Sequence, residues 1–149
     1  VEFGTYTGMS ARIFCDFAPD TAKIHTFDVV PWREFTSHLN QHDFDSGRIS
    51  QHIDDLSDPA IFEKYRPLLE EADLVFVDGP KDGVFEPKIF ALLSQLRFKP
   101  GAVMFVDDIR FENMVLIWES IPFPKLDLTG FGHWSGTGFV ELETPSLPG

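Results

Sequence analysis

An α/β fold, built as a mostly parallel sheet with helices on both faces and an antiparallel last strand, is what this sequence predicts. Three observations carry that expectation. Short apolar segments alternate with longer amphipathic ones along the chain, the pattern of strand–helix units. One apolar segment, Ala72 to Val77, is continuous, as a parallel strand covered on both faces requires. Finally, Glu2, Asp28, Asp78, Asp107 and Asp108 each fall at the end of a candidate strand. The carboxyl ends of a parallel sheet would collect these acids along one edge, where ligands bind in open α/β sheets.

Val1 to Phe3 reads as the end of a strand, followed by the turn Gly4 to Gly8 and a helix over Ser10–Phe17. A portion N-terminal to Val1 is expected to precede this strand end. Lys23–Val29 is the second strand, and Pro31–Leu39 is predicted helical because proline is tolerated in a first turn. Arg48–Ile53 is a short strand. Pro59–Glu71 is a helix with Ile61, Phe62, Tyr65 and Leu69 apolar, which Pro67 should bend or end. After the Ala72–Val77 strand, Glu86–Leu96 places Ile89, Leu92, Leu93 and Leu96 on one helical face. Lys99-Pro100-Gly101 turns into a buried strand, Ala102–Val106, that ends in Asp107-Asp108. A helix follows over Phe111–Ser120. Lys125–Leu128 and Gly138–Leu142 are close enough to pair antiparallel around the loop Gly130–Thr137. The 149 residues suit one domain.

Composition narrows the function. The formal net charge is −12, and such a surface repels phosphate backbones and anionic lipid. Neither nucleic acid nor membrane is expected as a partner, and a small molecule is. Cys15 is the only cysteine, which leaves no intrachain disulfide and no cysteine-based zinc site, in keeping with a cytoplasmic protein. No apolar run reaches the roughly 20 residues that cross a bilayer. With 16 Phe residues, the segment from Phe123 to Phe139 needs a buried face or a ligand. It serves either as core or as an interface between copies in a homo-oligomer.

The strand-to-helix turn Glu2-Phe3-Gly4-Thr5-Tyr6-Thr7-Gly8 lets the backbone bend sharply and approach a ligand closely at Gly4 and Gly8. A dinucleotide fingerprint would need glycine where Tyr6 stands, and no Walker lysine is present. A purely structural turn is the alternative. Asp28 follows about 20 residues later, where an acid accepts from two adjacent ribose hydroxyls. Its alternative is an acid facing a helix dipole.

These segments, with Asp78-Gly79-Pro80-Lys81 and Leu96 to Gly101 ahead of Asp107-Asp108, stand in the order of the motifs of class I S-adenosylmethionine-dependent methyltransferases. The chain resembles that superfamily over nearly its whole length and is most similar to its catechol O-methyltransferase-like, small-molecule branch. The resemblance implies a Rossmann-like fold with S-adenosylmethionine as cofactor. It places Glu2, Gly4, Thr5 and Gly8 around the methionine and ribose, Asp28 on the ribose hydroxyls and Asp78 beside the cofactor. Ile53, Asp54 and Asp55 would lie near the adenine, with Asp54 accepting from its exocyclic amine.

In the metal-dependent members, an acid after the fourth strand and an acidic pair after the fifth hold a divalent ion. That implies Asp78, Asp107 and Asp108 as ligands of Mg²⁺, whose chemistry suits hard carboxylate oxygens. Asp78 and Lys81 would be catalytic, with Lys81 as base. Pro80 departs from the usual pattern and stiffens the loop carrying Lys81. The alternatives are that these acids occur as in metal-free members, or that Asp107-Asp108 caps a helix.

The expected activity is methyl transfer to a small-molecule hydroxyl, and the alternative is a non-catalytic module that binds an adenosyl ligand. His133 could serve as a base in place of Lys81, but a hairpin turn with Trp134 covering core is the preferred reading of its loop. Trp32 packs either near adenine or in the core. His25, His38, His42 and His52 lack metal-ligand spacing and are expected to be structural or solvated.

Overall fold

The computed structural model describes residues 1–142. Along the chain it forms β1 (Glu2–Phe3), α1 (Met9–Phe17), β2 (Ile24–Asp28), α2 (Gln41–Asp45), β3 (Ile49–Ile53), α3 (Pro59–Glu70) and β4 (Leu74–Val77). There follow α4 (Phe85–Leu93), β5 (Val103–Asp107), α5 (Met114–Ser120), β6 (Lys125–Asp127) and β7 (Thr137–Glu141). Single 3-10 turns occupy Trp32–Glu34 and Thr129–Phe131.

The strands make one sheet in the order β3-β2-β1-β4-β5-β7-β6. The first five are parallel to their neighbours. β7 inserts between β5 and β6 and runs antiparallel to both, as expected for the last two strands. The chain therefore builds outward from β1 through β2 to β3, then returns to build β4 and β5 on the other side. This reversal opens a crevice above the carboxyl ends of β1 and β4. It is the Rossmann-like arrangement with an antiparallel end.

Alternation along the strands sends side chains to two faces. Phe3, Phe27, Val75, Val77, Met104, Val106 and Val140 join α3, α4 and α5 in the larger core through Phe62, Leu69, Ile89, Leu93, Met114 and Trp118. The smaller core gathers Ala11, Cys15, Ile24, Leu39 and Ile49, with Trp32 and Phe44 packed against it. β4 is consequently fully buried on one face only. Leu74 and Phe76 stay half-buried, and Phe76 is met edge-on by Phe14 of α1 at 5.7 Å.

Three local expectations are corrected. The helix expected over Pro31–Leu39 is only the 3-10 turn, because Ser37 and His38 bond the Thr7 carbonyl and hold the segment against the glycine turn. Helix begins later, where Asn40 and Asp43 form a capping box at the start of α2. Pro67 does not end α3, which runs on to Glu70. Asp107-Asp108 does not cap α5, whose N-cap is Asn113; a turn separates them.

Phe62 lies fully buried between sheet and α3, whereas Leu116 is 75% exposed. Urea denaturation should show Phe62→Ala losing about 3–5 kcal/mol, and Leu116→Ala staying within about 0.5 kcal/mol of the parent.

Candidate functional site

Gly4 leaves β1 at φ +103°, and a Cβ there would fall 2.0 Å from the Asp78 carbonyl oxygen. Only glycine permits this approach of the first and fourth strands. Tyr6, at φ 44°, then turns its amide onto Asp28 Oδ2 at 2.9 Å. The amide of Val30 donates to Asp28 Oδ1 at 3.0 Å. These two bonds fix the carboxylate, and each oxygen keeps a second lone pair for a hydroxyl donor.

Glu2 points to the opposite face. It is fully buried, accepting from Ser10 Oγ and from Thr26 Oγ1 at 2.5 Å; the Thr26 hydroxyl lies 2.8 Å from that of Thr5. Burial pushes the Glu2 pKa up to about 7, against the opposing pull of the Ser10 and Thr26 hydroxyls, with Asp78 adding to the rise. Gly8 abuts Leu39, whose Cδ1 lies 2.4 Å from where a Cβ would stand.

A cavity of about 600 Å³ opens above these strand ends, with Gly4, Asp28, Asp54, Asp78 and Phe35 among its lining residues. Volume and apolar-plus-acid lining suit a small-molecule ligand. Of the residues expected at the cofactor, Gly4, Asp28, Asp54 and Asp78 share this wall. Glu2, Thr5 and Gly8 do not line it; they brace the turn from behind through the buried hydroxyl–carboxylate network and the Leu39 contact.

Ile53 is not among the lining residues, while Asp55 is. Asp54 Oδ2 accepts from the Tyr65 hydroxyl at 2.5 Å and from Lys64 at 3.1 Å. The Tyr65 bond first, then Lys64, hold the Asp54 carboxyl below the usual range. Trp32 takes the core alternative, stacked on Phe44 at 5.1 Å. The wall position is filled by Phe35, which meets Tyr6 edge-on at 4.9 Å. No spacing rule singles out Phe35, and it was missed. His25 and His52 bond each other at 3.1 Å across β2 and β3, a structural pair.

Beyond the cavity lies an edge rich in acids. Lys81 pairs with Asp78 and, at 3.1 Å, with Asp108. Burial alone would lower the Lys81 pKa, but Asp78 and then Asp108 outweigh it and hold it above the ordinary lysine value. With both pairs intact Lys81 is a cation, and a base role would require them to break. Its loop is anchored through the buried Glu86, which accepts from the Lys81 amide at 2.8 Å. Asp107 is pushed up by burial and then by Asp78 and Asp108.

His133 Nε2 sits 2.8 Å from Asp107 Oδ1, and its Nδ1 sits 2.6 Å from the buried Ser135 hydroxyl. The glycine-rich loop thus turns its histidine toward the acidic edge, while Trp134 is 80% exposed, contrary to the preferred reading of that loop. The expected trio Asp78-Asp107-Asp108 is not what comes together: among the described residues, Asp107, Asp108 and His133 offer ligand atoms within 4.8 Å of one another. Asp78 is diverted into the Lys81 pair. Ser135 was missed as well, since a serine among glycines gives no sign of burial.

Glu2 supplies a pH test. Its folded pKa of about 7 stands above the ordinary 4.5, so the folded state binds the proton more tightly than the unfolded one. Stability should be greatest where Glu2 is protonated in both states and fall as pH rises from about 4.5 to about 7. Urea midpoints across that range should show this slope, and Glu2→Gln should flatten it.

Among the described residues no helix is long and apolar enough to cross a membrane. No curated protein matches the chain. The family model described as a methyltransferase domain matches residues 1–109, which takes in every strand from β1 to β5, the glycine turn, Asp28 and the Asp107-Asp108 pair. Fold, crevice and match agree: the chain belongs to the methyltransferase-domain family, within the class I S-adenosylmethionine-dependent methyltransferases.

Proposed function

We propose that this protein methylates a hydroxyl oxygen of a small-molecule acceptor, with a divalent ion assisting at the acidic edge. The observation that supports the reading best is the shared cavity: Gly4 and Asp28, on neighbouring parallel strands, line one space of about 600 Å³ with Asp78. Bound there, S-adenosylmethionine supplies an electrophilic methyl group on its sulfonium.

The chain's own residues do the positioning. Asp28 is held by the Tyr6 and Val30 amides, so its free lone pairs face ribose hydroxyls with little left to order. Asp54, tied on one oxygen by Tyr65 and Lys64, offers Oδ1 to an exocyclic amine. Phe3, Phe27 and Leu56 provide apolar wall. The acceptor is placed beside Asp107 and Asp108, where hard oxygens suit a divalent cation that would acidify a hydroxyl. Lys81, as a cation, pairs with and orients Asp78 and Asp108. A net charge of −12 favours a small acceptor over a nucleic acid.

Calorimetric titration with S-adenosylhomocysteine tests the cofactor assignment. Binding by the parent protein and a loss of about tenfold or more in Asp28→Asn are expected, since a hydrogen bond to a charged group contributes about 1.5–3 kcal/mol. Absence of binding by the parent protein would contradict the reading.

A further inference from the structure

We propose that Asp107, Asp108 and His133 form a binding site for a divalent transition-metal ion, with the His133 imidazole, not Asp78, completing the ligand set. The three side chains converge from two elements distant in sequence: the carboxyl end of β5 and the loop before β7. Each offers a donor atom, and all lie within 4.8 Å of one another. Ligands about 2.1 Å from a shared ion stand roughly 3 Å apart when adjacent and roughly 4.2 Å apart when opposite. The 2.8 Å between His133 Nε2 and Asp107 Oδ1 already matches an adjacent pair, and side-chain rotation within the rotamer wells would draw in the rest.

The surroundings have the character of a metal site. A metal-bound histidine characteristically uses its second ring nitrogen to bond an outer partner that fixes its orientation. Here Nδ1 is 2.6 Å from Ser135 Oγ, and Ser135 is 7% exposed. One buried hydroxyl therefore braces the imidazole. The loop is fixed in turn by the Arg110 amide on the Ser135 carbonyl, 2.8 Å, and by Gly136 at φ +92°, where a Cβ would fall 2.9 Å from Ile109.

Charge points the same way. Asp78, Asp107 and Asp108 face a single ammonium, Lys81, so the acidic groups outnumber the lysine beside the His133 imidazole. A divalent cation balances them. Lys81 takes up Asp78 Oδ1 and Asp108 Oδ2, which leaves one oxygen on each, and Asp78 stands outside the group whose donor atoms lie within 4.8 Å of one another.

An imidazole with two carboxylates suits Mn²⁺, Co²⁺ or Zn²⁺ better than Mg²⁺, which prefers an all-oxygen shell with retained water. A role for the ion beside the acceptor rests on the methyl-transfer reading; the site itself does not.

The test is a Co²⁺ titration of the chelator-stripped protein, followed by visible d–d absorption and by calorimetry, with S-adenosylhomocysteine titrated into the same preparations. One Co²⁺ per chain is expected, bound at least about tenfold more tightly than Mg²⁺. His133→Gln should weaken Co²⁺ at least about tenfold and change its absorption band, while Asp78→Asn should not alter the band. S-adenosylhomocysteine binding by His133→Gln should match the parent, because His133 does not line the cavity; this also reports that the variant is folded. Absence of Co²⁺ binding by the parent, or an unchanged Co²⁺ affinity in His133→Gln, overturns the metal site. A band lost in Asp78→Asn and kept in His133→Gln overturns it in favour of three carboxylates. Failure of S-adenosylhomocysteine binding with Co²⁺ binding intact would instead sink the cofactor reading and leave the metal site standing.

Discussion

The close approach of β1 and β4 at Gly4 is the constraint on which the rest of the site depends. With 2.0 Å between a hypothetical Cβ and the Asp78 carbonyl oxygen, no other residue lets the two strands sit side by side at their carboxyl ends. The Asp78 amide bonds the Phe3 carbonyl at 2.9 Å, and the Gly4 amide bonds the Phe27 carbonyl at the same distance. β1 is thereby clamped between β2 and β4. The chain reverses its direction of sheet growth at that clamp, so the crevice, Asp28 on one side and Asp78 on the other all follow from one turn.

Behind the clamp lies a buried carboxylate with two hydroxyl partners. Glu2 does not touch the cavity, yet it fixes the turn that does, through Ser10 of α1 and Thr26 of β2. Its environment is dry enough to favour the neutral acid near neutrality. At the far side of the crevice the balance is reversed: carboxylates outnumber cations, and Lys81 satisfies only part of the excess. The site thus joins an adenosyl-sized cavity to an anionic edge, and methyl transfer needs both a held donor and an acceptor brought into line with it.

Much of this was legible in the chain. Glycine at positions 4 and 8, acids at strand ends and the continuous apolar run Ala72 to Val77 point to a mostly parallel sheet with a crevice at its carboxyl edge, because backbone geometry leaves few alternatives. Asp58-Pro59 likewise marks the start of α3, where the Asp58 side chain accepts from the Ala60 and Ile61 amides. Side-chain direction was harder to read. Glu2 and Phe3 are neighbours on opposite faces of β1: Phe3 lines the cavity, while Glu2 turns into the buried network with Ser10 and Thr26. The glycine-rich loop showed where the chain turns, but not that His133 faces Asp107 while Trp134 faces solvent. That choice is set by Ser135 and Arg110, contacts between distant residues that no local pattern encodes. The 3-10 turn at Trp32 was misread for a related reason: the hydrogen bonds of Ser37 and His38 to Thr7 override local helical tendency.

The central claim is that the space between Gly4 and Asp28 is built for an adenosyl group. A crystal structure of the protein with S-adenosylhomocysteine addresses it most directly. The account predicts ribose hydroxyls within hydrogen-bonding distance of the Asp28 carboxylate, with the adenine toward Asp54. A ligand seated elsewhere, or its ribose turned away from Asp28, would contradict it.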